Sequence, residues 1–250
     1  MVSSSESAQS QTKVPASSSK KLEHIAVVMD GNQRWAVANN KSVSEGHRRG
    51  AETLKNVIRG AAELGVKYLT VYAFSTENWD RPDDEVSGLM EILQYHLLNS
   101  VDEINENGVR LKFIGDRSKL DPELLPLLDE ALRQTKDNKT ITLVIAFNYG
   151  GRSEIVRAVK KLAKEVLADK VSPEDVTEAF FEEYLDTRGI PDPDIFIRPA
   201  GEKRISNFLL WQSAYTEFIF TDVMWPDFSK EHLQKAIQEF GERNRRYGSR

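Results

Sequence analysis

The chain switches repeatedly between two hydrophobic periods, and this constrains its fold more than any other feature. Short apolar or β-branched runs occur at His24-Ile25-Ala26-Val27-Val28-Met29, Tyr68 to Phe74, Val109 to Ile114, Ile141 to Phe147, Ile195 to Arg198 and Glu217 to Phe220. Each reads as a strand. The first is apolar at successive positions, so both of its faces are buried, as in a parallel sheet. Between the runs, apolar residues recur at helical spacing. Leu54, Val57, Ile58, Ala61 and Leu64 share one side of a helix over Gly46 to Leu64, and Gly65 can end it. Val86, Leu89, Met90, Leu93, Leu97, Val101 and Ile104 share a face of a long helix over Asp83 to Asn107. Asp83, Asp84 and Glu85 suit its first turn, and Gly108 follows its end. Further helices are predicted to open at Asp121-Pro122, with Pro at the first helical position, over Ser153 to Leu167, after a cap at Ser172-Pro173-Glu174-Asp175, and over Ser229 to Tyr247. This alternation predicts an α/β fold: one domain with a mainly parallel, six-stranded central sheet flanked on both faces by about seven helices.

Residues 1–20 stand apart. They are rich in Ser, Gln, Ala and Thr and nearly devoid of large apolar side chains, so they cannot offset the entropy of ordering and are expected to be a disordered tail. The stretch has no Arg, which argues against a transit peptide, and no apolar segment of a secretory signal. Residues 21–250 are expected to form the folded domain.

Several chemistries are excluded by residue type. There is no cysteine, which removes disulfides, zinc-thiolate sites, iron–sulfur clusters and a thiol nucleophile. His24, His47, His96 and His232 are too scattered for a poly-His metal site. A net charge of -5 argues against general binding of nucleic acid. No apolar run is long enough to span a bilayer, so the expected location is cytoplasmic, with any membrane contact peripheral.

In parallel α/β sheets, ligands bind beyond the carboxyl ends of the strands, so the residues just after each strand carry the functional information. The first strand ends in Asp30-Gly31-Asn32-Gln33-Arg34-Trp35. Gly31 permits a tight turn, and N–H groups entering a following helix favour an anion. Arg34 can grip a phosphate bidentately. Asp30 would repel one, unless a Mg2+ ion takes oxygen ligands from both. A plain turn with a surface ion pair explains this segment equally well. The second strand ends in Phe74-Ser75-Thr76-Glu77-Asn78-Trp79-Asp80-Arg81-Pro82, which combines hydroxyl, carboxylate, indole and guanidinium. Trp79 can also be a core anchor. The fourth ends in Asn148-Tyr149-Gly150-Gly151-Arg152, where paired glycines suit close packing. The fifth leads into Arg198-Pro199-Ala200-Gly201-Glu202-Lys203-Arg204-Ile205-Ser206-Asn207, a cationic stretch suited to a second anion. No G-x-G-x-x-G turn follows the first strand, and no G-x-x-x-x-G-K-[ST] loop occurs, which disfavours a nucleotide-binding enzyme.

Taken together, the stretches HIAVVMDGNQRWA, GHRRGAETL, LTVYAFSTENWDRP, NYGGRSEIV and IRPAGEKRISNFLLWQSAYTEFIFTDVMWPDF resemble the cis-prenyltransferase family, from His24 to about Tyr247. The resemblance implies that 21–250 is the catalytic domain, with an apolar tunnel in its fold. It implies condensation of isopentenyl pyrophosphate onto an allylic pyrophosphate, farnesyl in the main reading, with release of pyrophosphate. The product would be a long-chain polyprenyl pyrophosphate, the precursor of a cell wall lipid carrier. A short- or medium-chain synthase, or a non-catalytic subunit of a prenyltransferase complex, is the alternative. By resemblance, Asp30 positions Mg2+, and Glu217 is a further carboxylate of the metal site. Gly31, Asn32 and Arg34 hold the allylic pyrophosphate, while Arg198, Arg204 and Ser206 hold that of isopentenyl pyrophosphate. Asn32, His47 and Ser75 support proton handling, and Phe74 and Trp79 touch the prenyl chains. Gln33, Trp35, Glu77, Asn78 and Arg81 complete the substrate site. A homodimer is implied, with Glu202 to Asn207 near the partner.

The chain departs from the family pattern at three places. Gln33 stands at the second glycine of DGNGRW. Val43 stands at a common Arg, whose phosphate contact would fall to Lys41, Arg48 or Arg49. Pro199-Ala200 replaces the Thr-Ser or Thr-Gly of the RTSGE or RTGGE segment, which removes an N–H and a hydroxyl. For the tunnel, the helix from Val86 to Ile104 and the strand from Ile141 to Ile145 are the expected walls, with Leu89, Leu93 and Ile141 as lining.

Overall fold

A computed structural model describes residues 22–243. The predicted tail over 1–20 lies outside the described residues. Six strands form one sheet: β1 (His24–Val28), β2 (Tyr68–Ser75), β3 (Val109–Ile114), β4 (Ile141–Tyr149), β5 (Ile195–Arg198) and β6 (Glu217–Phe220). Their order is β3-β4-β2-β1-β5-β6, and every pairing is parallel. β1 is central. The chain leaves it toward β2 on one side and returns to β5 on the other. The carboxyl end of β1 is therefore the point where the winding reverses, and there a crevice opens.

Among the described residues eight α-helices cover the sheet: α1 (Asn32–Ala38), α2 (Val43–Glu63), α3 (Asp83–Asn99), α4 (Val101–Glu106), α5 (Leu124–Thr135), α6 (Gly151–Leu167), α7 (Glu178–Glu182) and α8 (Lys230–Glu242). Strand alternation divides the core. Ile25, Val27, Leu69 and Val71 pack with Val57 and Ala61 of α2 and with Leu233 and Phe240 of α8. Ala26, Val28, Val144 and Phe196 face the other way, against Phe208 and Leu209.

Four boundaries differ from the sequence expectation: α5 opens at Leu124, with Pro122 in the turn before it and not at the first helical position, and the other three differ for local reasons. α2 begins before Gly46, because Ser42 caps it: the Glu45 N–H donates to Ser42 Oγ (3.2 Å) and the Ser42 N–H donates to Glu45 Oε2 (2.9 Å). The long helix over Asp83 to Asn107 bends into α3 and α4 at Ser100, whose hydroxyl lies 2.8 Å from His96 Nδ1. The predicted cap at Ser172 opens only a 3-10 turn, and Thr177 Oγ1 caps the next helix by accepting from the Phe180 N–H. The described part of the last helix ends at Glu242, and Tyr247 lies outside the described residues.

Candidate active site

The turn after β1 is built around Gly31. Its φ is +100°, and a Cβ there would meet Ala200 Cβ at 2.9 Å, so this position accepts little beyond glycine. The turn presents Asp30 to the crevice. Asp30 Oδ1 accepts from the Gly31 N–H (2.7 Å), and Oδ2 accepts from Arg198 Nη2 (2.9 Å). Arg34, one turn into α1, donates to the Ala200 carbonyl (2.9 Å) and lies 3.5 Å from Asp30 and 3.4 Å from Glu202. Asn32 donates to the Met29 carbonyl (3.0 Å) and is pressed against Gly46 and Gly50 of α2. Cβ atoms on those glycines would overlap it at 2.4 and 2.3 Å, so α2 can approach only because both are glycine.

Arg198, at the end of β5, is only 4% exposed. Its Nη1 donates to the Arg204 carbonyl (2.6 Å) and to Ser206 Oγ (2.7 Å). The loop that supplies these acceptors is tightly wound, with positive φ at Ala200, Ser206, Asn207 and Leu209. Non-glycine residues hold such angles only where their surroundings fix them, commonly at ligand sites. Here Tyr72 helps: its hydroxyl donates to the Tyr149 carbonyl (2.9 Å), and its ring stacks on Phe208 at 4.3 Å. The Arg204 side chain pairs with Glu202 and stays exposed. Ala200 donates its N–H to Val223 (2.8 Å), so the backbone of the Pro199-Ala200 departure is committed to holding the loop.

The residues after β2 close the third side. The Ser75 N–H donates to Asn78 Oδ1 (3.0 Å), and Glu77 accepts from Asn207 (2.8 Å), tying the two loops together. Arg81 donates to Glu85 (2.6 Å), which in turn lies 3.4 Å from His47 Nε2 on α2. Burial lowers the His47 pKa, Glu85 opposes that shift, and Arg81 adds to it.

Three buried polar atoms at this crevice make no hydrogen bond among the described residues: Asn32 Oδ1, His47 Nε2 and Arg198 Nε. Buried polar atoms without hydrogen bonds are costly, so three of them on residues bordering one cavity mark a place built for a polar ligand.

Below the polar mouth the crevice deepens into a cavity of about 1060 Å³. Leu54 and Ile58 of α2, Leu89 and Leu93 of α3, and Leu143 and Ile145 of β4 line its middle. The volume exceeds the roughly 300–1,000 Å³ typical of small-ligand pockets. An elongated apolar molecule with an anionic head fits this shape.

Most of the predicted site residues converge here. Asp30, Gly31, Asn32, Gln33, Arg34, His47, Ser75, Glu77, Asn78, Arg81, Arg198, Arg204 and Ser206 all border the cavity. Others do not. Glu217 opens β6 in register with Ile195, three residues back from the carboxyl end of β5, and its carboxylate accepts from Arg243 (2.8 Å). Within one chain, its pairing with Asp30 at a metal is therefore corrected. Phe74 is buried against Phe147 and Trp79, and Trp79 Nε1 donates to Asn148 Oδ1 (2.7 Å), so both serve the core behind the tunnel. Trp35 turns away to donate to Asp227 (2.9 Å). Lys41 pairs with Glu45 and Arg49 with Glu52, and neither these nor Arg48 borders the cavity. Ile141 is buried in the core, and the lining from β4 starts at Leu143.

Sequence reasoning missed the second wall, α2, and the linking roles of Glu85 and Asn207. The signal for α2 was present: its apolar residues cover more than one face, Val57 and Ala61 toward the sheet, Leu54 and Ile58 toward the cavity.

Comparison with known proteins agrees with this geometry. A family model described as "Putative undecaprenyl diphosphate synthase" matches residues 28–248. The chain is 49% identical to an isoprenyl transferase of Clostridium perfringens, over 92% of this chain and 90% of that one. It is 48% identical to an isoprenyl transferase of Rhizobium meliloti, over 90% and 91%. Among solved structures, it resembles lavandulyl diphosphate synthase from Lavandula x intermedia in complex with dimethylallyl diphosphate. The TM-score is 0.88 at 38% identity, covering 91% of this chain and 98% of that one. A probable undecaprenyl diphosphate synthase from Campylobacter jejuni gives a TM-score of 0.76 at 33% identity, over 92% and 99%.

Proposed function

The chain belongs to the undecaprenyl diphosphate synthase family and is a cis-prenyltransferase enzyme, and from that premise we propose that it elongates farnesyl pyrophosphate with isopentenyl pyrophosphate to a long-chain polyprenyl pyrophosphate. The observation that carries this reading is that three buried polar atoms without hydrogen bonds, Asn32 Oδ1, His47 Nε2 and Arg198 Nε, belong to residues that border the same large cavity as Asp30.

The roles follow from position. Arg34 is half-exposed at the mouth and meets the allylic pyrophosphate, with Gly31 allowing its close approach. Arg198, whose Nε is free, binds the second pyrophosphate together with Arg204 and Ser206. These cations stabilise the negative charge that develops on the departing pyrophosphate. As the allylic C–O bond breaks and the new carbon–carbon bond forms, a proton is lost from the adjacent isopentenyl carbon; His47 Nε2 and the departing pyrophosphate are the bases available to it, and Asn32 Oδ1 and Ser75 on the crevice wall can hydrogen-bond along its path. The apolar cavity takes up the chain. Each added unit of five carbons gains roughly 4 kcal/mol by burial at about 0.8 kcal/mol per carbon.

The donor set fits magnesium in one way. Among the described residues no cluster of three or more His, Asp or Glu side chains converges, and Asp30 alone faces the mouth from β1. Magnesium keeps few protein ligands where substrate phosphates complete its shell, so Asp30 together with pyrophosphate oxygens would hold it. When bound, it adds positive charge at the leaving group. A homodimer formed near Glu202 to Asn207 and peripheral contact with a membrane for product release belong to the same proposal. No helix of the described residues is long and apolar enough to cross a membrane.

The likeness to a synthase in complex with dimethylallyl diphosphate favours, as a second reading, a short starter and product. Incubation with farnesyl pyrophosphate, isopentenyl pyrophosphate and magnesium decides between them. Long products with cis double bonds are expected. A trans product or no condensation would overturn the proposal, and a product of one or two units would favour the second reading.

A further inference from the structure

The two helices that wall the tunnel change polarity along their length. On α2, the lining residues recur turn after turn: His47, Ala51, Leu54 and Ile58, then Arg59 and Glu63. From His47 to Glu63 is sixteen residues, about 24 Å of helix at about 1.5 Å each. Opposite them stand Leu89 and Leu93 of α3, and then His96, Ser100, Glu103 and Asn107. Away from Asp30 both stripes gain charged and polar side chains, set among apolar ones such as Ala62 and Ile104.

Beside Leu54, about 12 Å along α2 from His47, Lys55 reaches across to Glu103 of α4, Nζ to Oε2 at 2.7 Å. Both side chains line the cavity, yet they are 37% and 48% exposed. They therefore touch the tunnel on one side and water on the other. His96 belongs to the same cluster, since Lys55 and Glu103 act on it in opposite directions. α4, which carries Glu103, begins just after the bend at Ser100.

A closed floor of packed apolar side chains would stop a growing chain by overlap. An exposed ion pair has different properties. It holds weakly, and it can open without disturbing the core. We propose that Lys55 and Glu103 form a latch over a second, lateral mouth of the tunnel between α2 and α4, and that this latch sets how far a prenyl tail extends before it emerges. The inference rests on the proposed elongation activity for its biological meaning, but the latch is a property of the cavity and is testable without turnover.

Two measurements on the full chain test it. In the first, linear alkyl pyrophosphates of increasing length are titrated calorimetrically. For the wild type, the gain in affinity per added carbon should fall off once the tail reaches the latch. In Lys55→Ala and Glu103→Ala, the first lengths past that limit should bind roughly two- to fivefold tighter, the weight of one exposed ion pair. The charge-reversed double variant, Lys55→Glu with Glu103→Lys, should restore the wild-type limit. In the second, the ratio of successive elongation products should shift toward longer chains by the same factor in the single variants and return in the double. Coincident length profiles for wild type and single variants, or a double variant that behaves like the singles, would overturn the latch. If the wild type fails to elongate at all, the proposed function falls, and the binding series still decides the latch.

Discussion

Arg198 reaches from the end of β5 to the end of β1 and donates to Asp30 across 2.9 Å, although Arg198 is buried and Asp30 is partly open to the crevice. The pair joins the two strands at which the sheet winding reverses. It also means that the carboxylate has a structural partner before any substrate arrives. Asp30→Ala should therefore do more than abolish turnover. It leaves a buried guanidinium without its carboxylate, at a cost of about 1–3 kcal/mol. Inorganic pyrophosphate should recover much of that loss by supplying the missing negative charge. Thermal unfolding with and without pyrophosphate measures this. Undiminished activity, or an unchanged melting temperature, would contradict the role.

The two faces of α2 give a second prediction. Leu54 lines the cavity, while Val57, one turn on, is fully buried against the sheet. Leu54→Trp and Leu93→Trp should each shorten the product with little loss of stability, since the ring enters open space. Val57→Trp should instead lose about 1–3 kcal/mol or more by overpacking. Product sizing beside denaturant unfolding checks both. Shortened product only in the destabilised variant would remove α2 from the tunnel wall.

The strands, and which polar clusters sit at their carboxyl ends, were legible because burial on both faces leaves an unbroken apolar run. Asp30, Arg34, Arg198 and Ser206 were found that way. What was not legible depends on direction within an element. Glu217 follows the same motif yet opens its strand, and the opening end of a parallel strand points away from the crevice. Trp79 carries a polar handle that serves either a ligand or a core, and only the position of Asn148 decides. The bend at Ser100 leaves that residue's own i to i+4 backbone bonds in place, so the apolar period runs through it without a mark.

Acid should destabilise the fold through His24. Burial lowers its pKa from 6.5 to about 4, against the opposing effects of the Pro191 carbonyl and Asp194. The folded state keeps the ring neutral, while the unfolded chain takes up a proton near pH 6.5. Stability from this group is thus complete above pH 6.5 and is lost as pH falls toward 4, by about 3 kcal/mol in all. His47 and His96, also lowered chiefly by burial, act in the same sense. Unfolding free energy measured from pH 7 to 4 should fall along this course, and His24→Gln should flatten it. A flat wild-type profile would show that His24 protonates without cost.

Trp79 separates structure from substrate contact. Its indole N–H donates to Asn148 Oδ1, and the Asn148 amide donates to the Asp116 carbonyl at 2.6 Å, so one tryptophan links the turns after β2 and β3 through the end of β4. Asn148 itself sits at φ +48°, an angle that its two side-chain bonds help to hold. Trp79→Phe keeps most of the apolar contact with Phe74 but deletes the donor. It should cost about 1–3 kcal/mol, the penalty for an acceptor left unpaired in the interior. Because the ring does not border the cavity, product length should stay the same. Kinetics with substrates of different chain length, run beside thermal unfolding, tell the two roles apart. A changed product distribution at unchanged stability would return Trp79 to the substrate site.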